Sequence, residues 1–133
     1  MPEVDVWQFY ESLTGTREGM PTDRRAVAAI CDLRQEVNSG GFDSYFRYWG
    51  GDSASDALRA LPDILGMAWV ELLSIAMGLF GTDYPKSADE REARIDDLQL
   101  DERFDALDAQ FFELEAATEA DRLLSEHLAA GKP

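Results

Sequence analysis

The sequence predicts an all-α fold, a compact multi-helix domain around an apolar central helix, and three observations carry that expectation. Apolar residues recur at three- and four-residue spacings through most of the chain, the period of helices with one buried face. Helix-opening signals at Thr22-Asp23, Ser53 to Asp56 and Ser87 to Glu90 alternate with the glycine stops Gly40-Gly41, Gly50-Gly51 and Gly81. No stretch alternates apolar and polar residues for long enough to make a half-buried strand.

Residues 3 to 13 read as a first helix, with Val4, Trp7 and Tyr10 at helical spacing and the turn-rich Thr14-Gly15-Thr16 after them. Thr22 is the expected cap of the second, whose inward stripe is Ala26, Ile30, Leu33 and Val37. Gly40 and Gly41 stop it, with Gly40 as the left-handed residue. Phe42, Tyr45, Phe46 and Trp49 fall at i, i+3, i+4 and i+7, so a short third helix carries one aromatic face. Core packing is also the expected place of Tyr48, because base stacking by Tyr48 and Trp49 requires a positive groove.

A fourth helix runs from the Ser53 capping signal through Leu61, and Pro62 suits the first turn of the next. That fifth helix is apolar almost all round, with a thin polar edge of Glu71, Ser74 and Gly78, which makes it the expected centre of the fold. Ser87 and Glu90 then form a capping box, and Ile95 and Leu98 are expected to face inward. From Asp101 onward Phe104, Leu107, Phe111 and Leu114 mark a core seam. A break near Thr118 precedes a last helix carrying Leu123, Leu124 and Leu128.

At 133 residues, with 45% hydrophobic and 29% charged residues, the chain is expected to form a single helical domain over residues 1–133. The apolar run from Ile64 to Gly81 has Glu71 in its middle and no basic flank, features of a buried helix and not of a membrane span. The single cysteine, Cys31, cannot form an internal disulfide, and Met1 to Asp5 lack the basic and apolar regions of a signal peptide. The expected location is therefore cytoplasmic.

Net charge is the informative quantity: 27 carboxylates oppose 12 Lys and Arg, giving −15. The excess is even along the chain, with 13 acids and 6 bases in residues 1–85 and 14 and 6 in residues 86–133. A globule of this length is ~36 Å across, a span over which duplex DNA bears on the order of 20 charges. The two densities are comparable, which argues against nucleic acid, anionic membranes and acidic substrates as partners and for basic proteins. Solubility is a competing explanation. Only Lys86 and Lys132 are lysines, a bias that a GC-rich or salt-adapted genome also produces.

Catalytic chemistry finds no support. His127 has no second histidine or cysteine pair with which to build a zinc or nucleophile–base site, and Cys31 adjoins the core stripe of its helix, where a thiol is inert. Gly40-Gly41 follows a helix and lacks the Walker lysine or third Rossmann glycine of a phosphate loop. Asp96 and Asp97 are paired carboxylates without the spaced acid and histidine pattern of a di-iron site. No catalytic residue, metal or cofactor is assigned. Past the pair Asp96 and Asp97, Asp101, Asp105, Asp108 and Glu115 line one flank of the Phe104 seam, while Glu102 and Glu113 point outward. Like charges at i, i+4 destabilise a helix by about 0.2–0.5 kcal/mol each, so this row carries a cost. These eight acids form the candidate partner-binding face.

One pattern has a specific likeness. Glu36-Val37-Asn38-Ser39-Gly40-Gly41-Phe42 is followed by Tyr45-Phe46, then by Ala57, Leu61 and Gly66, by Phe80-Gly81 with Pro85, and by Arg91, Leu107-Asp108 and Phe112. Over roughly residues 24–128 this resembles the bacterial double-stranded-DNA-mimic protein family, defined by the C-terminal domain of the nineteen-kilodalton DNA mimic. Asn38, Gly40, Gly41, Phe42, Tyr45 and Phe46 are the most specific part, and Ser39, Ser44 and Tyr48-Trp49 depart from the pattern. The resemblance implies an all-helical fold and no enzymatic activity. It also implies carboxylates standing in for phosphates against a DNA-binding protein such as a transcriptional regulator, and it admits a homodimer. The alternatives are an immunity or antitoxin protein that neutralises a basic toxin, and an acidic helical domain whose charge serves solubility alone.

Overall fold

A computed structural model describes residues 5–14, 17 and 19–130. Among them the regular structure is helical: α1 (Val6–Glu11), α2 (Thr22–Arg47), a 3-10 turn (Trp49–Ser53), α3 (Ala54–Ile64), α4 (Met67–Gly78), α5 (Ala88–Leu98), α6 (Asp101–Ala117) and α7 (Ala120–Ala130). No strand occurs among the described residues, in agreement with the all-α expectation. None of these helices is long and apolar enough to cross a membrane.

The central element is α2. Every residue from Val27 to Arg34 is buried, and α3, α5, α6 and α7 all pack against this helix. Small side chains at Ala28 and Ala29 let neighbours approach from more than one side, so an otherwise ordinary amphipathic helix is enclosed all round. The helix expected at the centre, α4, instead lies against α3 and α6 with Met67 and Ile75 at the surface. Apolar composition alone did not place it inside, because one of its faces has no neighbour.

The first, longer arm of α2 runs through Gly40. The backbone then turns at Gly41 (φ 77°, ψ 178°), and the helix continues to Arg47 beyond this kink. The positive φ therefore belongs to Gly41 and not to Gly40 as expected. Beyond the kink, Phe42, Tyr45 and Phe46 enter the core and meet Phe80, Phe104 and Phe111 there. Phe46 stands edge-on to Phe80 at 5.0 Å and tilted to Phe104 at 5.5 Å, the offset geometries that ring quadrupoles favour. The expected seam of α6 holds: Phe104, Leu107 and Phe111 are buried, and Leu114 packs against the same cluster.

Several local expectations need correction. Thr22 is the first residue of α2 and not its cap; Pro21 precedes it without a side-chain bond. Trp49 lies past the end of α2, and Trp49 and Tyr48 are 57% and 60% exposed instead of packed inside. Ser53 does not cap α3, because its Oγ donates to the buried Asp32 at 2.8 Å. Pro62 sits in the last turn of α3, where its missing N–H deprives only the Leu58 carbonyl, and the chain breaks later, at Gly66 (φ 110°). Leu98 is exposed and does not face inward, while Arg94 of the same helix donates to the Phe80 carbonyl at 2.6 Å. Ser87 does cap α5, accepting from the Glu90 N–H at 3.2 Å, and Thr118 marks the break before α7. In the first helix Asp5 caps Val6–Glu11, while Val4 and Gly15-Thr16 lie outside the described residues.

Candidate functional site

The site is built on the kink of α2. Restarting a helix at Phe42 leaves its first N–H groups without carbonyls in a preceding turn. The Phe42 N–H donates instead to Asp108 Oδ1 of α6 at 2.8 Å. Gly41 is required for this approach twice over. Its φ is positive, and a Cβ there would stand 2.3 Å from Asp108 Oδ2. One turn earlier on α2, Asn38 Nδ2 donates to Glu115 Oε2 at 3.3 Å. Glu115 also receives Arg34 bidentately at 2.6 and 2.8 Å, and Arg34 reaches Asp121 of α7 at 2.8 Å. The Asn-x-Gly-Gly-Phe segment is thus the seat of α6 on α2.

Around this seat the acids of three helices converge. Arg47, at the end of α2, donates to Asp43 at 2.8 Å and to Asp96 of α5 at 2.9 Å, and pairs with Glu92 of α5 at 3.4 Å. Asp43 and Asp105 both lie close enough to Asp108 to raise its pKa. Burial is the larger cause of that upward shift, and the Phe42 N–H bond opposes it. Carboxylates therefore run from Glu92 and Asp96 across Asp43 to Asp108 and Asp105, with Arg47 as the cation that ties the first three together.

Of the acids expected to face a partner, Asp97, Asp101, Glu102, Asp105 and Glu113 are exposed, with neither an ion pair nor a hydrogen bond from a side chain among the described residues. Asp96 is exposed and held by Arg47. Asp108 and Glu115 are only partly exposed and engage α2. Asp43 and Glu92, which sequence reasoning did not single out, join the ridge through Arg47. A signal for them existed in part: Asp43 and Arg47 are spaced i, i+4.

Burial of charge is asymmetric. Arg17, Arg34 and Arg91 are buried but Asp32 is the single buried carboxylate among the described residues, so folding withdraws more positive than negative charge from the surface. Asp32 accepts from Arg17 Nη2 at 2.7 Å, Tyr10 Oη at 2.6 Å and Ser53 Oγ at 2.8 Å. Arg91, fully buried, donates to the carbonyls of Phe46, Tyr48, Pro85 and Lys86 and to Asp52. Backbone oxygens thus take up most of its donors.

Among the described residues no three His, Cys, Asp or Glu side chains are grouped to hold a metal ion. Cys31 is buried, and desolvation pushes its thiol pKa up to about 12, which leaves it unreactive. His127 lines a groove of about 470 Å³ with Arg25, Asp56, Arg59 and Asp63, where Arg25 and Arg59 both pair with Asp56.

No curated protein matches the chain, and no solved structure does. The model of the DMP19-like protein family, that of the nineteen-kilodalton DNA mimic, matches residues 18–130, which takes in the α2 kink, the α6 seat and the acidic ridge; the protein belongs to this family.

Proposed function

We propose that the protein is a non-enzymatic binding protein that occupies the DNA-binding surface of a basic protein such as a transcriptional regulator. The observation that carries this reading is the convergence of Glu92, Asp96, Asp43, Asp108 and Asp105 from three helices into one ridge. Acids four residues apart on α5 or α6 place one charge about every 6 Å along the helix axis, against about 3.4 Å for one DNA strand. Each row thus reaches about half the linear charge density of a strand, and a basic groove that binds phosphates meets the same sign at a similar scale. Family membership supports the same reading. The contact acids are Asp96, Asp97, Asp101, Glu102, Asp105 and Glu113, joined by Asp43 and Glu92, while Asp108 and Glu115 hold the fold beneath them.

The test is capture of basic proteins from the source lysate at low salt, after nuclease treatment, followed by elution with duplex DNA. A DNA-binding protein displaced by DNA, and not retained by the combined Asp97→Asn, Asp101→Asn and Asp105→Asn variant, is the expected result. Retention unchanged by the triple variant overturns the assignment of the face, and capture of a toxin-like protein that DNA does not displace overturns mimicry. Sedimentation of the same samples determines whether the binding unit is a homodimer.

A further inference from the structure

Two large aromatic side chains next in the chain to residues of the acidic ridge, or one helical turn from them, are exposed. Tyr48 directly follows Arg47, the residue that gathers Asp43, Glu92 and Asp96, and is 60% exposed. Its backbone carbonyl accepts from Arg91 at 3.0 Å, and the same guanidinium holds Asp52 at 2.6 Å, so one further carboxylate lies near the Tyr48 backbone. Phe112 is 46% exposed and lies on α6 one turn after Asp108 and one turn before Glu115. Helical geometry puts it on the same side as Asp101 and Asp105, between carboxylates instead of on the buried seam. Core packing explains neither exposure: the ring of Tyr48 meets no other ring or guanidinium among the described residues, and Phe112 touches the ring of its own neighbour Phe111 at 6.4 Å. Trp49 differs, since it covers the buried Arg17 guanidinium at 5.3 Å.

We infer that Tyr48 and Phe112 are apolar anchors of the ridge, and that its occupant is a basic protein surface in which apolar side chains alternate with Arg and Lys. A uniformly cationic tail or a small polycation would leave both rings in water. Aromatic side chains inside a polar contact surface are where binding energy concentrates, and the surrounding charges supply attraction and orientation. The inference rests on the proposed role of the ridge in binding a basic partner. It adds that charge alone does not select that partner.

The experiment uses two synthetic helical peptides of equal positive charge, one with leucines along one face and one with serines in their place, titrated calorimetrically into the full-length protein. The expected result is that the leucine peptide binds about tenfold tighter. In a Tyr48→Ser, Phe112→Ser variant this ratio falls below about threefold, while affinity for the serine peptide is unchanged. Tyr48→Ser alone, at a ring that packs on no other aromatic, gives an intermediate ratio and guards against a folding defect in the double variant. Equal binding of both peptides by the native protein, or a ratio that survives in the variants, overturns the anchors and leaves the ridge standing. Failure of both peptides to bind overturns the ridge and the anchors together.

Discussion

Asp108 accepts a hydrogen bond from the Phe42 N–H at 2.8 Å, delivering to the kink of α2 a cap from a helix 66 residues further along the chain. Gly41→Ala should disrupt this arrangement in two ways, through the positive φ and through a Cβ 2.3 Å from Asp108 Oδ2. Backbone strain of about 1–3 kcal/mol and loss of a cap worth about 1 kcal/mol give an expected destabilisation of about 2–4 kcal/mol. Gly78, helical and with open space around it, is the control, and Gly78→Ala should stabilise by about 0.5–1 kcal/mol. Urea denaturation of the two variants would refute the account of the kink if their midpoints coincided.

The same carboxylate should leave a signature in pH. Burial, then the charges of Asp105 and Asp43, hold the Asp108 pKa above its ordinary value of 3.8. A raised pKa in the folded state means that folding favours the protonated form. This contribution to stability is complete below 3.8 and is lost as pH rises through the folded value. Near neutrality the ionised group is a net liability, so Asp108→Asn, which keeps an acceptor for the Phe42 N–H, should be more stable than the native protein. The advantage should vanish on acidification below 3.8. Asp121 has the opposite sign: burial pulls its pKa up, but bonds from Arg34 and Trp7 outweigh this and hold it below 3.8. Asp121→Asn should therefore destabilise near neutrality, with a deficit that fades as pH falls through the folded value. Parallel pH profiles for the two variants would refute both assignments.

What the sequence revealed and what it concealed divide along one physical line. Periodicity reports the inward face of a helix, and so Phe104, Leu107 and Phe111 were legible, as was the Ser87 cap, a bond within three residues. It does not report how many neighbours a helix has, which is why α2 and α4 exchanged the central place. Nor does it report partners across the fold. Asp108 and Glu115 read as members of an acidic row, but their bonds go to Phe42 and Arg34, 66 and 81 residues away. Glu92 was not singled out from the sequence, because its link to Asp43 and Asp96 runs through Arg47, 45 residues away. The Gly-Gly pair announced a turn correctly, but the choice between Gly40 and Gly41 depended on where the Asp108 carboxylate lies.

Asp32 gives a third prediction, at the junction of α1, α2 and the 3-10 turn. It is fully buried and is the acceptor for Arg17, Tyr10 and Ser53 at once. Asp32→Ala leaves a buried guanidinium without that carboxylate and should cost about 3–5 kcal/mol. Replacing both members of the ion pair, Asp32→Leu with Arg17→Met, should cost less than the two single changes added together, because neither member is then left buried without the other. Strict additivity in a double-mutant cycle would mean that the pair is not coupled and that packing alone holds the junction.

The ridge itself should oppose folding. Asp105 has Asp101 four residues before it and Asp108 three after it, and each such like-charge pair costs a helix about 0.2–0.5 kcal/mol. Asp105→Asn relieves both and should stabilise by about 0.4–1 kcal/mol at low ionic strength, a gain that salt removes because the group is exposed. Asp101→Asn should gain less, since Asp101 occupies the first turn of α6, where a negative charge interacts favourably with the helix dipole. Thermal melts at low and high salt measure both effects. If Asp105→Asn proves more stable and a weaker binder of the basic leucine peptide, the carboxylate is retained for contact at the expense of the fold. If it loses stability instead, the row is a structural network, and the positions that meet a partner lie elsewhere on the surface.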